Sequence, residues 1–133
     1  MRKGIAALAT AMASLLAAGA AFGARAPTQD ILSQYEKTGE FRSCIPLRSI
    51  RDTDFLDDYT MMVTVTGGDV YLNEFSSRCA GVYREQRYYH KTSTNDMCRG
   101  DIIRVVDAFG SPRGACGLSQ FEKLEQLPQP EEQ

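Results

Sequence analysis

Aromatic and basic residues are interleaved along the second half of this 133-residue chain, and they are its clearest candidates for recognition chemistry. Tyrosine rings stack on ligands and guanidinium groups attract polar or anionic groups, so a small β scaffold can use both to bind a glycan, a peptide or a single strand. Cross-strand aromatic packing with solvated charges is the competing interpretation, and the residue types favour it. The candidate binding residues are Tyr71, Tyr83, Arg84, Arg87, Tyr88 and Tyr89.

Acid–base chemistry has few candidates, because His90 is the single histidine of the chain. A nucleophilic triad would join His90 to a serine and an acid, but the chain has no G-x-S-x-G motif. An ordinary histidine on a strand is the favoured interpretation. We therefore predict no catalytic residue, no metal and no cofactor; the alternative is a small periplasmic hydrolase-like enzyme that uses His90 or an acidic cluster.

The acidic cluster consists of Asp52, Asp54, Asp57 and Asp58, four carboxylates within seven residues. Such a cluster attracts calcium, but an EF-hand loop requires glycine at the position that Asp57 occupies. We therefore predict a solvated turn between two strands at this position.

The tripeptide Arg99-Gly100-Asp101 matches a cell-adhesion motif. Three residues recur by chance in many chains, and this tripeptide stands beside a cysteine at the entry to a predicted strand. We therefore predict that Gly100 turns the chain here.

The cysteines are Cys44, Cys79, Cys98 and Cys116, an even number. An exported chain meets an oxidising compartment, so we predict two disulfides; a zinc site is disfavoured because no C-x-x-C is present. In an up-and-down meander, Cys44 and Cys98 lie at one end of the sheet and Cys79 and Cys116 at the other. This favours the pairings 44–98 and 79–116 over the alternative pairings 79–98 and 44–116.

Strand patterns dominate the rest of the chain. Apolar residues on one face predict a helix over residues 28–37, which Thr28 would cap and Gly39 would end. Alternating and β-branched residues predict six strands with no helix between them, so we expect a mainly β fold, a small antiparallel meander or barrel. A helical ending of the last predicted strand stays open, because its apolar residues are three apart. The predicted strands cover residues 45–51, 59–66, 70–75, 87–92, 101–107 and 115–124.

The first residues are typical of a secretory signal peptide, with a basic start, a short apolar run and small residues thereafter. Cleavage is expected after residue 20, or alternatively after residue 23. Residues 28–127 then form one β-rich domain, and residues 128–133 form a disordered acidic tail. The formal charge of −2 argues against a nucleic-acid partner. We expect a monomer in the periplasm or secreted, with no membrane anchor after cleavage.

Several short motifs follow one another in a fixed order: Cys44-Ile45, Ile50-Arg51, Leu56-Asp57-Asp58, Tyr71-Leu72-Asn73, Cys79-Ala80-Gly81-Val82, Cys98-Arg99-Gly100-Asp101-x-Ile103 and Cys116-Gly117-Leu118. This order resembles a family of small exported proteobacterial proteins that share a domain of unknown function, over residues 42–124. The resemblance implies a secreted β-rich domain and carries over no catalytic residue. Family members often have a lipoprotein signal, whereas this chain lacks the lipobox cysteine, which implies a free periplasmic form. We accordingly expect a binding or structural role.

Overall fold

Strands dominate the part of the chain that the computed structural model describes, residues 27–130. The predicted signal peptide and residues 131–133 of the predicted tail lie outside the described residues. This part also contains two short helices, α1 (Thr28–Leu32) and α2 (Val82–Glu85). The ten strands of residues 27–130 are β1 (Tyr35–Arg42), β2 (Cys44–Pro46), β3 (Ile50–Phe55), β4 (Thr60–Val65), β5 (Val70–Glu74), β6 (Tyr88–His90), β7 (Asp96–Cys98), β8 (Ile102–Val106), β9 (Pro112–Gly117) and β10 (Phe121–Gln126).

The strands pair in an antiparallel manner, which confirms the predicted mainly β fold. A five-stranded sheet has the order β1-β10-β5-β4-β3, a three-stranded sheet has the order β6-β8-β9, and β2 pairs with β7. Strands β3, β4 and β5 form a consecutive meander. The whole topology is more complex than an up-and-down meander, because β10 returns to lie beside β5 and β1 pairs with β10.

The five-stranded sheet is packed on both of its faces. One face contributes Val63 and Phe121 to the main core, which Ile103 of the three-stranded sheet also enters. The opposite face contributes Met62 and Leu72 to a second apolar cluster, against which α1 packs. Strand β4 is therefore apolar on both sides, as is typical of a strand that is covered twice.

The helix predicted over residues 28–37 is too long, since α1 ends at Leu32 and β1 begins at Tyr35. Tyr35 lies opposite Gln126 in the pair of β1 with β10. Pairing with β10 gives the backbone polar groups of this segment hydrogen-bond partners, and this outweighs the helical pattern of the side chains.

The residues predicted to bound that helix have other roles. The Thr28 hydroxyl lies 2.9 Å from both the Leu56 carbonyl oxygen and Asp57 Oδ2, so it joins α1 to the turn after β3 instead of capping the helix. Gly39 has a φ of +72° and lies at the irregularity in the β1–β10 register. It therefore bends a strand, as glycine does at a bulge, and does not end a helix.

Two predicted strands are each divided in the structure. Residues 45–51 contain the last two residues of β2, a 3₁₀ turn at Leu47–Ser49 and the start of β3; the Ser49 hydroxyl donates to the Pro46 carbonyl at 2.7 Å. Residues 115–124 contain parts of β9 and β10. Strands β4, β5, β6 and β8 confirm the predicted strands at residues 59–66, 70–75, 87–92 and 101–107.

A buried asparagine fixes the segment between the end of β9 and the start of β10. The amide of Asn73, which is fully buried, donates from Nδ2 to the Ser119 carbonyl at 2.7 Å and accepts the Ser119 N–H at 3.0 Å. These bonds satisfy the backbone where the chain passes from the three-stranded to the five-stranded sheet. The helical alternative for this segment is wrong, because both of its parts are strands.

The disulfides Cys44–Cys98 and Cys79–Cys116 confirm the favoured pairing. Their geometry differs from the expected one, because Cys98 lies within β7, directly opposite Cys44 in β2, with 4.0 Å between the Cα atoms. Cys79 and Cys116 are buried in the main core and join the segment before α2 to β9.

Candidate functional site

The structure divides the six candidate binding residues among three environments. Tyr71 lies in the main core at 3% exposure, with the Arg42 guanidinium 5.5 Å from its ring centroid. Tyr88 is half-buried, and its ring meets Phe55 edge-on at 5.5 Å. Tyr71 and Tyr88 therefore pack in and against the core, so their assignment to an exposed binding surface is wrong.

Arg87 and Tyr89 lie on the solvent side of the three-stranded sheet. Tyr89 is directly opposite Arg104 on β8, and Arg104 is opposite Ala115 on β9. Arg87 immediately precedes β6, is exposed, and by strand alternation faces the same side as Tyr89. We call the surface formed by Arg87, Tyr89, Ile102 and Arg104 the outer face.

The outer face is basic and partly apolar. Tyr89 is 55% exposed and Ile102 is 52% exposed. Neither Arg87 nor Arg104 has a carboxylate partner within residues 27–130, and Lys91, which follows β6, is exposed in the same region. Because small residues occupy the neighbouring positions of β9, the side chains of β6 and β8 stand clear of the sheet.

The turn from β8 to β9 is fixed by Asp107. Its Oδ1 accepts the amide hydrogens of Phe109 and Ser111 at 2.9 and 3.0 Å, and its Oδ2 lies 2.7 Å from Arg113 Nη2. The Ser111 amide above all, with the Phe109 amide and Arg113, holds the pKa of Asp107 below its ordinary value although burial opposes this. Phe109 projects from this turn at 95% exposure.

Tyr83 and Arg84 lie instead in a cleft of about 770 Å³ beside α2, which we call the Tyr59 cleft. Its main lining residues are Asp57, Asp58, Tyr59, Arg78, Tyr83 and Arg84.

Asp58 organises the Tyr59 cleft. Its Oδ1 accepts the Tyr83 amide hydrogen at 3.2 Å, and its Oδ2 accepts from Arg78 Nε at 3.1 Å, Arg78 Nη2 at 3.0 Å and the Gly81 amide at 3.4 Å. Burial raises the pKa of Asp58, but these hydrogen bonds and the Arg78 charge together outweigh burial and hold the pKa below its ordinary value. Asp58 is thus an ionised anchor for the walls of the cleft.

The acidic cluster is not a single solvated turn, as the sequence had suggested. Asp52 and Asp54 belong to β3, while Asp57 and Asp58 follow it and bind the surrounding backbone. Across residues 27–130, no group of three or more His, Cys, Asp or Glu side chains is placed to hold a metal ion.

His90 and Asp101 form a close pair. His90 Nε2 lies 2.9 Å from Asp101 Oδ2, which also accepts the Cys98 amide hydrogen at 2.8 Å. The His90 side chain is 5% exposed, and its buried Nδ1 has no hydrogen-bond partner in the described range, residues 27–130. Within the adhesion-like tripeptide, Gly100 has a φ of +87°, which confirms the predicted turn.

The sequence had not indicated Arg104, Tyr59 or Arg78. The exposure of Arg104 could have been predicted from the sequence. It is the one charged residue in the run Ile-Ile-Arg-Val-Val, and strand alternation places it on the other face of the strand from Ile103 and Val105, which are buried. Tyr59 and Arg78 come from separate loops, and the sequence gives no pattern that joins them.

Comparisons with protein-family models, with curated proteins and with solved structures found no match. Neither helix of the described range has the length and apolar character needed to cross a membrane.

Proposed function

We propose that this protein is an exported, non-catalytic binding domain that holds an extended acidic polysaccharide on its outer face. The observation that carries the proposal is the pair of guanidinium groups, Arg87 and Arg104, that have no carboxylate partner among residues 27–130 and lie around the exposed ring of Tyr89. Their charges attract carboxylate or sulfate groups, and the ring offers a stacking surface between them.

The size of the outer face favours a chain ligand over a folded protein partner. Three strands about 4.8 Å apart, with about five residues of 3.3 Å each, form a patch of roughly 10 by 17 Å. A stable protein interface buries about 800 Å² on each partner, several times the area of this patch. A linear polymer needs only the narrow row of contacts that Arg87, Tyr89 and Arg104 supply.

Two features support export. Disulfide bonds form and persist in oxidising compartments, and this protein has two of them. The first residues of the sequence also match the pattern of a secretory signal peptide. An extracellular or periplasmic location would bring the outer face into contact with acidic polysaccharides.

The hydrolase-like alternative has less support. Its base would be His90, whose Nε2 is engaged by Asp101 and whose Nδ1 is buried. A general base must come within hydrogen-bond reach of the proton that it abstracts. A side chain that is 5% exposed does not meet a polymer at the surface.

The proposal is tested by calorimetric titration of the full protein with oligogalacturonate at low and high salt. We expect binding that weakens with salt, and about tenfold weaker binding for Tyr89→Ala and for Arg104→Gln, since each loses a contact worth roughly 1.4 kcal/mol. Arg48→Gln is the matched control, because Arg48 is exposed but lies in the turn between β2 and β3.

The proposal would be overturned by the absence of oligogalacturonate binding at low salt, by an equal loss of affinity in the Arg48→Gln control, or by equally tight binding of neutral dextran. Tighter binding of oligothymidylate would also overturn it, because the ligand would then be a nucleic acid. Retained binding by Arg48→Gln alongside loss in the two outer-face variants would support it.

A further inference from the structure

We propose that the Tyr59 cleft is a second, separate binding site, which takes a neutral saccharide. This site shares none of its six main lining residues with the outer face, so the inference does not depend on the function proposed above. Its volume of about 770 Å³ is within the range of small-molecule sites.

The arginine of the cleft is oriented before any ligand arrives. Arg78 uses Nε and Nη2 to bind one oxygen of Asp58, while its side chain is still 63% exposed. The second oxygen of Asp58 is held by the Tyr83 amide, so the carboxylate cannot rotate freely. The remaining N–H groups of Arg78 therefore point in a fixed direction, where they can donate to ligand hydroxyls without a large loss of side-chain entropy.

The two tyrosines are positioned by the same pair of carboxylates. The Tyr59 amide donates to Asp57 Oδ1 at 2.7 Å, and the Tyr83 amide donates to Asp58 Oδ1. The ring of Tyr59 is 54% exposed, while its backbone is fixed at both the N–H and the carbonyl, which accepts from the Phe75 amide. An exposed ring on a fixed backbone is a ready stacking platform for the C–H face of a sugar.

The disulfide near the cleft adds to this rigidity. The Cys79 amide donates to the Asp58 carbonyl at 2.7 Å, and Cys79 is itself bonded to Cys116 of β9. The loop that carries Arg78 is thereby joined to the turn that carries Tyr59. A site held on both sides by covalent and buried contacts retains its shape without ligand.

The charges of the cleft disfavour a charged ligand. The carboxylates of Asp57 and Asp58 balance the guanidinium groups of Arg78 and Arg84, and Glu85, which pairs with Arg84 at 2.8 Å, brings the local sum to −1. An anion therefore gains no net Coulomb energy, and the carboxylates that could attract a cation already bind arginine or amide groups. A polyhydroxyl ligand matches the cleft, because hydroxyls both donate and accept hydrogen bonds and sugar rings stack on tyrosine.

The test follows amide chemical shifts of the full protein while maltotetraose, cellotetraose and fully N-acetylated chitotetraose are added separately. We expect at least one of these neutral tetrasaccharides to shift the amides of Tyr59, Gly81 and Tyr83. Tyr59→Ala should weaken that binding about tenfold or more, as loss of one stacking contact does. Arg78→Lys should weaken it as well, because lysine keeps the charge but not the planar donor group.

Tyr89→Ala is the matched control, since it removes an exposed tyrosine from the outer face alone. It should weaken oligogalacturonate binding about tenfold and leave tetrasaccharide binding unchanged, whereas Tyr59→Ala should weaken only the binding of the tetrasaccharide. No shift with any of the three tetrasaccharides at millimolar concentration would overturn the inference, as would unchanged affinity in a folded Tyr59→Ala variant. Failure of oligogalacturonate binding with retained tetrasaccharide binding would refute the proposed function alone.

Discussion

The two larger sheets of the described structure are covered to different degrees. The five-stranded sheet is packed on one face by the main core and on the other by the cluster beneath α1. The three-stranded sheet turns Ile103 and Val105 into that main core, and its other face, the outer face, is open to solvent. One sheet thus stabilises the domain with both faces, while the other has a face whose residues are free to serve binding.

The sequences of β4 and β8 record this difference. Strand β4 has apolar or threonine side chains at each of its positions, and five of its six residues are buried. In strand β8 exposed and buried residues alternate: Ile102 and Arg104 are exposed, and Ile103 and Val105 are buried. A strand that is buried on both sides tolerates no charge, whereas a strand with one wet side can carry arginine at no cost in desolvation.

The test of this comparison with the largest expected change in stability compares the variants Phe121→Ala and Ile102→Ala. Phe121 is fully buried between the sheets, so its truncation should destabilise the domain by about 3–5 kcal/mol through lost burial and a cavity. Ile102 is 52% exposed, so its truncation should cost about 1 kcal/mol or less. Urea unfolding monitored by circular dichroism measures both. Similar losses for the two variants would mean that the outer face is packed after all.

The sequence predicts those parts of the fold that depend on local pattern. The alternation of β4, β5 and β8 was enough to place them, because a half-buried or buried strand leaves a periodic signature. The division between β9 and β10 leaves no periodic signature in the sequence, since it depends on a hydrogen bond between Ser119 and the side-chain amide of Asn73, 46 residues away. Tyr71 was misassigned for a related reason: one tyrosine in an alternating strand does not reveal which face will be covered.

The up-and-down meander predicts the correct disulfide pairing from a topology that is too simple. It places Cys44 and Cys98 at the same end of one sheet, whereas in the structure they face each other in the separate β2–β7 pair. The sequence could not predict the Tyr59 cleft, because Tyr59, Arg78 and Tyr83 come from separate segments and are brought together through the hydrogen bonds of Asp57 and Asp58.

A second test removes each disulfide separately. Cys79→Ala with Cys116→Ala should destabilise the domain by about 2–4 kcal/mol through chain entropy, with an added packing loss because both sulfurs lie in the main core. The double variant Cys44→Ala with Cys98→Ala should lose less stability, since Cys44 is exposed. The Cys44–Cys98 disulfide closes a longer loop, but this raises its entropic contribution by only about a few tenths of a kcal/mol.

Denaturant midpoints of the two double variants, with intact-mass measurement of the remaining bond, decide this comparison. A greater loss on removal of Cys44–Cys98 would show that the small β2–β7 pair, and not the junction near α2, limits the stability of the domain.

A third test uses pH to isolate the anchor of the Tyr59 cleft. Asp58→Asn should cost about 1–3 kcal/mol at neutral pH, because the Arg78 guanidinium and two amides lose an ionised acceptor. The pKa of Asp58 is lowered in the folded state, so this stabilisation is complete above the ordinary value of 3.8 and is lost as the pH falls through the lower folded value. The difference in unfolding free energy between wild type and variant should therefore close only below about pH 4.

Asp69→Asn is the control for that measurement, because Asp69 is 57% exposed and lies 3.9 Å from Lys123. It should change stability by less than about 0.5 kcal/mol at any pH. If the Asp58→Asn difference persisted unchanged at pH 2, loss of the carboxylate charge would not be the cause, and the anchor role of Asp58 would be refuted.

The smallest expected effect is the most informative about the outer face. Arg87→Gln with Arg104→Gln should change the free energy of unfolding by less than about 0.5 kcal/mol, because neither guanidinium has an ion-pair partner within residues 27–130. The same double variant should lose oligogalacturonate binding, so stability and binding separate at these two positions. A loss of stability above about 1 kcal/mol would instead make the arginines part of the packing, and the contrast between a sheet covered twice and a sheet with one free face would fail.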